Sequence, residues 1–290
     1  MPYIEQEIGK TFYISKGRGT KDNLPIIGLH GGPGGTHLSQ YSLTWLGDER
    51  RVVLYDQIGS GLSSSIEKKD MKIETFVNNL EALVSHLRIE RFHLLGSSWG
   101  TTLALEYYLR KKGRGVASLT FQSPMFSTKI WEQDANRLIK KMPNETQKVI
   151  NYCQEIGATD SLVYKKAVKN YYAKHVYRLK SRPEWAPPRI INHHGERVYG
   201  HMWGPSEFCS TGTLKKYDRL KDLTKVKIPT LFIVGQYDEA TPESAHRFSK
   251  KIKNSQVAVI KGASHSVFTE KPEASHKKLR KFLKDVEHGL

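Results

Sequence analysis

Apolar positions in this chain fall into two textures. Short unbroken apolar runs stand beside longer stretches in which apolar residues recur every three or four positions. The first texture suits strands covered on both faces, and the second suits amphipathic helices. Residues 3–7 and 9–15 alternate weakly and predict an N-terminal hairpin. Residues 24–29 and 51–55 predict buried strands, each stopping at a glycine-rich loop: His30-Gly31-Gly32-Pro33-Gly34-Gly35 and Asp56-Gln57-Ile58-Gly59-Ser60-Gly61.

Further along, Phe76, Val77, Leu80, Leu83, Val84 and Leu87 lie at helical spacing within residues 74–88. A strand at 92–96, a helix at 101–109 and a strand at 116–121 follow. The alternation resumes with a strand at 230–234, a helix at 242–252, a strand at 257–260 and a closing helix at 272–286. Strand and helix in turn predict an α/β fold, its mostly parallel central sheet covered by helices on both faces.

Residues 125–211 interrupt that rhythm with aromatic-rich helical segments, no clear buried strand, and Pro183, Pro187, Pro188 and Pro205 as breaks. They predict an inserted helical cap, leaving a discontinuous core of residues 1–124 and 212–290. There is no internal repeat or low-complexity tract.

Composition narrows the class. A chain of 290 residues buries roughly three quarters of its unfolded surface, so the core needs no disulfide or metal support. No apolar run approaches the roughly 18 residues of a membrane span, and the first residues carry Glu5 and Glu7 with no apolar segment behind them. The expectation is a cytoplasmic protein without membrane contact. Cys153 and Cys209 have no partner at metal-ligand spacing and are expected to be packing residues.

The net charge of +17 raises the question of nucleic acid. The basic residues are dispersed in short groups such as Arg110-Lys111-Lys112, Lys215-Lys216 and Lys277-Lys278. Dispersal argues for a solvated basic surface and against a nucleic-acid partner.

The sharpest chemical signal is Gly96-Ser97-Ser98-Trp99-Gly100, a G-x-S-x-G motif between a predicted strand and a predicted helix. In that context the serine sits on a sharp turn with its hydroxyl above the sheet, the arrangement of the α/β-hydrolase fold. Ser98 is the candidate nucleophile. A serine hydroxyl needs a base, and the base needs an acid that orients it. In this fold the partners follow in the order acid, then histidine, each after a later strand. Asp238 follows the strand at 230–234, with Glu239 as a neighbouring rival, and His265 follows the strand at 257–260. The His30-Gly31-Gly32-Pro33-Gly34 loop supplies the second half of an oxyanion hole, whose expected donors are the backbone N–H groups of Gly32 and Trp99. A phosphate-binding loop is the rival reading of the glycines, but no G-x-G-x-x-G or Gly-Lys-Ser/Thr is present.

Taken together, His30-Gly31-Gly32-Pro33-Gly34, the segment from Tyr55 to Ser63, Gly96-Ser97-Ser98-Trp99-Gly100, Gly204-Pro205-Ser206-Glu207-Phe208 and the segment from Gly235 to Pro242 resemble the proline iminopeptidase family. Within it the chain looks closest to the tricorn-interacting aminopeptidase branch. The resemblance implies a serine exopeptidase that removes N-terminal proline, and in that branch other residues, from short peptides through an acyl-enzyme. It implies that Glu207 and Glu239 hold the substrate's free α-amino group, that no metal or organic cofactor takes part, and that association with a larger protease is possible. A general esterase or amidase on the same scaffold, and a non-enzymatic binding protein that keeps the fold, are the alternatives.

Overall fold

A computed structural model of the chain describes residues 2–19 and 23–289. The chain opens with strands β1 (Tyr3–Gln6) and β2 (Gly9–Lys16), then β3 (Ile26–Leu29) and β4 (Val52–Tyr55). Helix α1 (Ile73–His86), β5 (Phe92–Ser97), α2 (Trp99–Lys111) and β6 (Val116–Gln122) follow. Four helices come next: α3 (Thr128–Ile139), α4 (Asn144–Glu155), α5 (Leu162–His175) and α6 (His193–Met202). The chain closes with β7 (Thr230–Gly235), α7 (Pro242–Ser249), β8 (Ser255–Ile260), the short α8 (Val267–Glu270) and α9 (Pro272–Glu287).

All eight strands form one sheet in the order β1-β2-β4-β3-β5-β6-β7-β8. β1 with β2 and β2 with β4 pair antiparallel; every other pairing is parallel. The five strands β3 to β7 are buried at every position, as their apolar runs require. One core cluster packs α1 and α2 on one face of the sheet through Phe76, Leu80, Leu83, Trp99, Leu103 and Phe121. A second packs α9 against Leu95, Leu231, Ile233 and Ile260 through Leu279, Phe282 and Leu283. The layering is therefore helix, sheet, helix, as the alternation of textures predicts.

Between β6 and β7, helices α3, α4 and α5 share a core of their own, with Ala135, Ile150, Cys153, Tyr164, Tyr171 and Phe208 buried together. Both cysteines are free; Cys153 is buried in this cluster and Cys209 is half-buried. Several polar ties join this segment to the sheet and its loops, among them those of Asn192 and Asp134. Asn192 accepts from the Gly61 N–H at 2.7 Å and donates to the Gly34 carbonyl at 2.8 Å. Asp134 accepts from Thr241 Oγ1 at 2.8 Å and Ser244 Oγ at 2.5 Å.

Some element boundaries depart from the pattern, and one element is new to it. The helix expected over 242–252 ends at Ser249, and Ile252 is buried beyond its end. α2 begins two residues before the expected start, because the turn at Ser98 delivers the chain directly into helix. A 3-10 segment at His37–Asp48, bent at Gln40, was not foreseen: its buried side chains are a mixture of His37, Gln40, Ser42, Leu43 and Leu46, with no apolar period to read.

Candidate active site

Ser98, Asp238, His265 and the His30–Gly35 loop all stand beyond the C-terminal end of a parallel strand, where this architecture gathers its chemistry. Ser98 lies between β5 and α2 with φ 54° and ψ −122°. A non-glycine residue held at positive φ stores about 1–3 kcal/mol of strain and persists only where its surroundings enforce it. Gly96 and Gly100 are the enforcement. A β-carbon on Gly96 would run into the carbonyl of Gly100, and one on Gly100 into the carbonyl of Leu29. Strand, turn and helix thus press together so closely that only hydrogen fits.

His265 follows β8 and Asp238 follows β7. His265 Nδ1 donates to Asp238 Oδ1 at 2.8 Å. Asp238 is almost wholly buried, and it accepts three further bonds: from Ser123 Oγ at 2.6 Å, the Gly235 N–H at 3.2 Å and the Ala240 N–H at 2.9 Å. The loop carrying His265 is clamped in turn. Gln122 Nε2 donates to the His265 carbonyl at 2.7 Å, the His265 N–H donates to the His175 carbonyl at 3.1 Å, and the Trp131 ring stands edge-on to the imidazole at 5.7 Å. Burial works against a charge on His265, but Asp238, then Glu207 and Glu270, outweigh it and hold the imidazole above its ordinary 6.5.

Ser98 and His265 line one cavity of about 190 Å³, together with Gly31, Gly32, Gln122 and Glu207. Ser98 Oγ makes no hydrogen bond among the described residues, so the serine and the histidine share the cavity without a hydrogen bond between them. Such a contact is often long in an empty site and tightens when substrate binds.

The glycine loop after β3 is fixed by a buried network. His30 Nε2 accepts from the Gln57 N–H at 3.0 Å, which leaves the proton on Nδ1 to reach the Gly31 carbonyl at 2.9 Å. Gln57 Nε2 donates to the His30 carbonyl at 2.9 Å, and the Trp99 indole N–H donates to Gln57 Oε1 at 2.8 Å. Burial keeps His30 neutral, pushing it down to about 4. Gly32 sits at φ +114°, a conformation other residues rarely adopt. Neither Gly32 nor Trp99 uses its backbone N–H in a turn or cap bond.

Glu207 and Glu239 form the second half of the site. Glu207 is half-buried at the cavity wall, accepting from Tyr199 Oη at 2.9 Å, while its own N–H donates to Tyr172 Oη at 3.1 Å. Glu239 is fully covered, and neither of its carboxylate oxygens has a hydrogen-bond partner. His265 Nδ1 lies 3.8 Å from Glu239 Oε1, and the Tyr171 hydroxyl, itself without a hydrogen-bond partner, favours the charged form of Glu239. Burial, then the charges of Glu207 and Asp238, push the Glu239 carboxyl well above the ordinary range; burial also raises Glu207, against the opposing pull of His265.

All seven residues picked from the sequence therefore gather around one end of the sheet, although Glu239 lies behind the cavity wall. Sequence reasoning missed the supports: Ser123, Gln122, the His175 carbonyl and the tyrosine shell of Tyr171, Tyr172 and Tyr199. Ser123 alone carried a readable signal, as a hydroxyl directly after a buried parallel strand.

The family described as alpha/beta hydrolase fold matches residues 25–272, which makes the chain an α/β hydrolase. The proline iminopeptidase of Heyndrickxia coagulans is 38% identical over 263 residues, covering 90% of this chain and 91% of that protein. The chain belongs to the proline iminopeptidase family. The crystal structure of proline iminopeptidase from Mycobacterium smegmatis superposes with a TM-score of 0.87 at 29% identity, covering 99% of this chain and 98% of that one. The crystal structure of VinJ superposes with a TM-score of 0.90 at 27% identity, covering 98% of each chain.

Proposed function

We propose that this protein is a serine aminopeptidase that releases N-terminal proline from short peptides through an acyl-enzyme. The observation that carries this reading is the pairing of two chemistries in one place: a strained serine sharing a cavity with an oriented histidine, and a carboxylate pair with spare acceptors beside it.

In the proposed reaction, His265 takes the Ser98 proton as Oγ attacks the carbonyl of the first residue. Asp238 holds the imidazole with Nδ1 protonated and stabilises the imidazolium that forms. The N–H groups of Gly32 and Trp99 meet the oxyanion, where one such donor contributes about 3 kcal/mol to the transition state. His265 then gives its proton to the leaving amine, and water, deprotonated by the same imidazole, releases the acid and restores Ser98.

An exopeptidase must count from the chain end. The protonated α-amine is the group that marks that end, and carboxylates in a dry site recognise it best. Glu207 receives it at the cavity wall. Glu239, covered by its neighbours, pairs with it once a side-chain movement opens the wall, and so exchanges an unpartnered burial for an ion pair. Tyr171, Tyr172, Tyr199 and Trp131 surround the amine and exclude water.

A panel of prolyl and alanyl amides run beside short acyl esters, with Ser98→Ala as the blank, tests the reading. Turnover of the prolyl amide that is absent in the blank supports it; turnover of the esters alone contradicts it and favours an esterase.

A further inference from the structure

The site described above accounts for the amino end of a substrate and leaves the other side of the scissile bond unexplained. A second cavity, of about 440 Å³, continues from the first on that side. The two share Gly35, Ser39 and Ser266 as common walls. Ser266 directly follows His265, the residue that hands its proton to the leaving amine in the proposed reaction, while Glu207 lines the first cavity and not the second. A peptide seated with its amine at Glu207 and its carbonyl at Ser98 therefore runs its leaving portion into the larger space.

Two arginines, Arg182 and Arg189, line this second cavity. Neither makes an ion pair or a hydrogen bond among the described residues, in a chain where Arg50, Arg219 and Arg280 all hold carboxylates. Both charges are felt by the Tyr177 phenol on the same wall, so they act on one region of the space. No acid lines the cavity, and Glu270, whose charge the Tyr177 phenol also feels, has its oxygens occupied by the Ser264 N–H, Ser264 Oγ and the Arg178 N–H. The remaining wall includes the neutral hydroxyls of Thr36 and Thr269. Unpaired guanidinium groups beside hydroxyls, with no free acid among them, are a receptor for a carboxylate.

We propose that Arg182 and Arg189 bind a carboxylate on the leaving portion of the substrate, and that this carboxylate is the C-terminus of a di- or tripeptide. The inference rests on the aminopeptidase reading and extends it: the enzyme reads both ends of a short peptide, the amine with Glu207 and Glu239 and the acid with the arginine pair. Long peptides, whose C-terminus lies far beyond the cavity, lose the second contact.

The test is the ratio of kcat/KM for prolyl-alanine over prolyl-alaninamide, measured at low ionic strength so that exposed charges are not screened. The native protein is expected to favour the free acid by about tenfold or more, the usual effect of a charge-assisted contact. In Arg182→Ala combined with Arg189→Ala the ratio falls toward one, and Arg182→Lys alone retains part of it. Prolyl-aspartic acid α-amide separates the two sources of a carboxylate. If it is cleaved no faster than prolyl-alaninamide, the C-terminus is the recognised group; if it matches prolyl-alanine, the pocket reads a side-chain acid and the C-terminal assignment is overturned. A ratio of one in the native protein, or one unchanged in the double variant, overturns the carboxylate site while leaving the aminopeptidase reading intact. Absence of turnover on all three substrates contradicts the aminopeptidase reading itself, and this proposal falls with it.

Discussion

Asp238 and Glu239 are neighbours in the chain and equally buried, yet Asp238 accepts four hydrogen bonds and Glu239 accepts none. The first is an anion held in place, and the second is a carboxyl waiting for a partner. That contrast separates the two roles proposed here, orienting the base and receiving a cation. It also makes the two residues respond oppositely to substitution.

Glu239 should destabilise the empty protein. Its carboxyl is raised well above 4.5 in the fold, so the folded chain binds that proton more tightly than the unfolded one. Stability contributed this way is present below the ordinary carboxyl range and is lost as pH rises through the folded value. Glu239→Gln is therefore expected to raise Tm at pH 7 by about 2 °C or more, corresponding to about 1 kcal/mol. The gain should vanish near pH 4, and kcat/KM on prolyl amides should fall. Thermal unfolding at the two pH values checks the sign; a variant less stable at pH 7 would contradict it.

Ser123 is expected to be a positioning residue. Its hydroxyl donates to Asp238 Oδ2 at 2.6 Å and also reaches the His265 carbonyl at 3.2 Å. Hydrogen bonds to charged groups contribute about 1.5–3 kcal/mol. Ser123→Ala should lower kcat by about tenfold or more with little change in KM, because the loss falls on orientation of the base and not on substrate binding. Steady-state kinetics separate the two parameters, and a rise in KM at constant kcat would refute the assignment.

The pH profile carries a third expectation. His265 acts as a base only when neutral, and its imidazole is held above 6.5 by Asp238, Glu207 and Glu270 in spite of burial. The acid limb of kcat/KM should have its midpoint above 6.5. Removing one of those negative charges in Glu207→Gln should move that midpoint to lower pH. Residual activity of the variant, followed from pH 5 to 8, decides the point; an unmoved or raised midpoint would contradict it.

Gly100 tests the turn itself. A β-carbon there would meet the Leu29 carbonyl, a backbone atom that cannot swing aside. Gly100→Ala should cost about 3 kcal/mol or more, at the upper end of overpacking effects, and abolish labelling of Ser98 by a fluorophosphonate probe. Denaturant unfolding and probe labelling read the two effects separately. Normal stability with normal labelling would show that the close approach is not required.

Much of this is legible in the amino-acid sequence. The strands β3 to β7 are unbroken apolar runs because they are covered on both faces, so their ends, and the loops at those ends, could be placed from the sequence. Ser98 and Asp238 each follow such a strand, and His265 follows β8, an edge strand with a short apolar run that is only partly buried. Glu207 follows none, and only the resemblance of its surrounding segment singled it out. The supports were hidden for a different reason. His175 serves through its backbone carbonyl, to the N–H groups of both Glu239 and His265, and a carbonyl has no sequence signature. Tyr171, Tyr172 and Tyr199 lie in α5 and α6 with no motif around them, and only their convergence on the glutamates gives their hydroxyls meaning.

The central claim is that the free α-amine of the substrate is what this site reads. The most direct measurement is kcat/KM for prolyl β-naphthylamide against N-acetylprolyl β-naphthylamide on the native protein. Leaving buried charges without their partner costs about 2–5 kcal/mol, so the acetylated substrate should be cleaved more slowly by about thirtyfold at the least and up to several thousandfold. Equal turnover of the two would mean that Glu207 and Glu239 do not hold the amine, and would leave a serine hydrolase without an exopeptidase's means of counting.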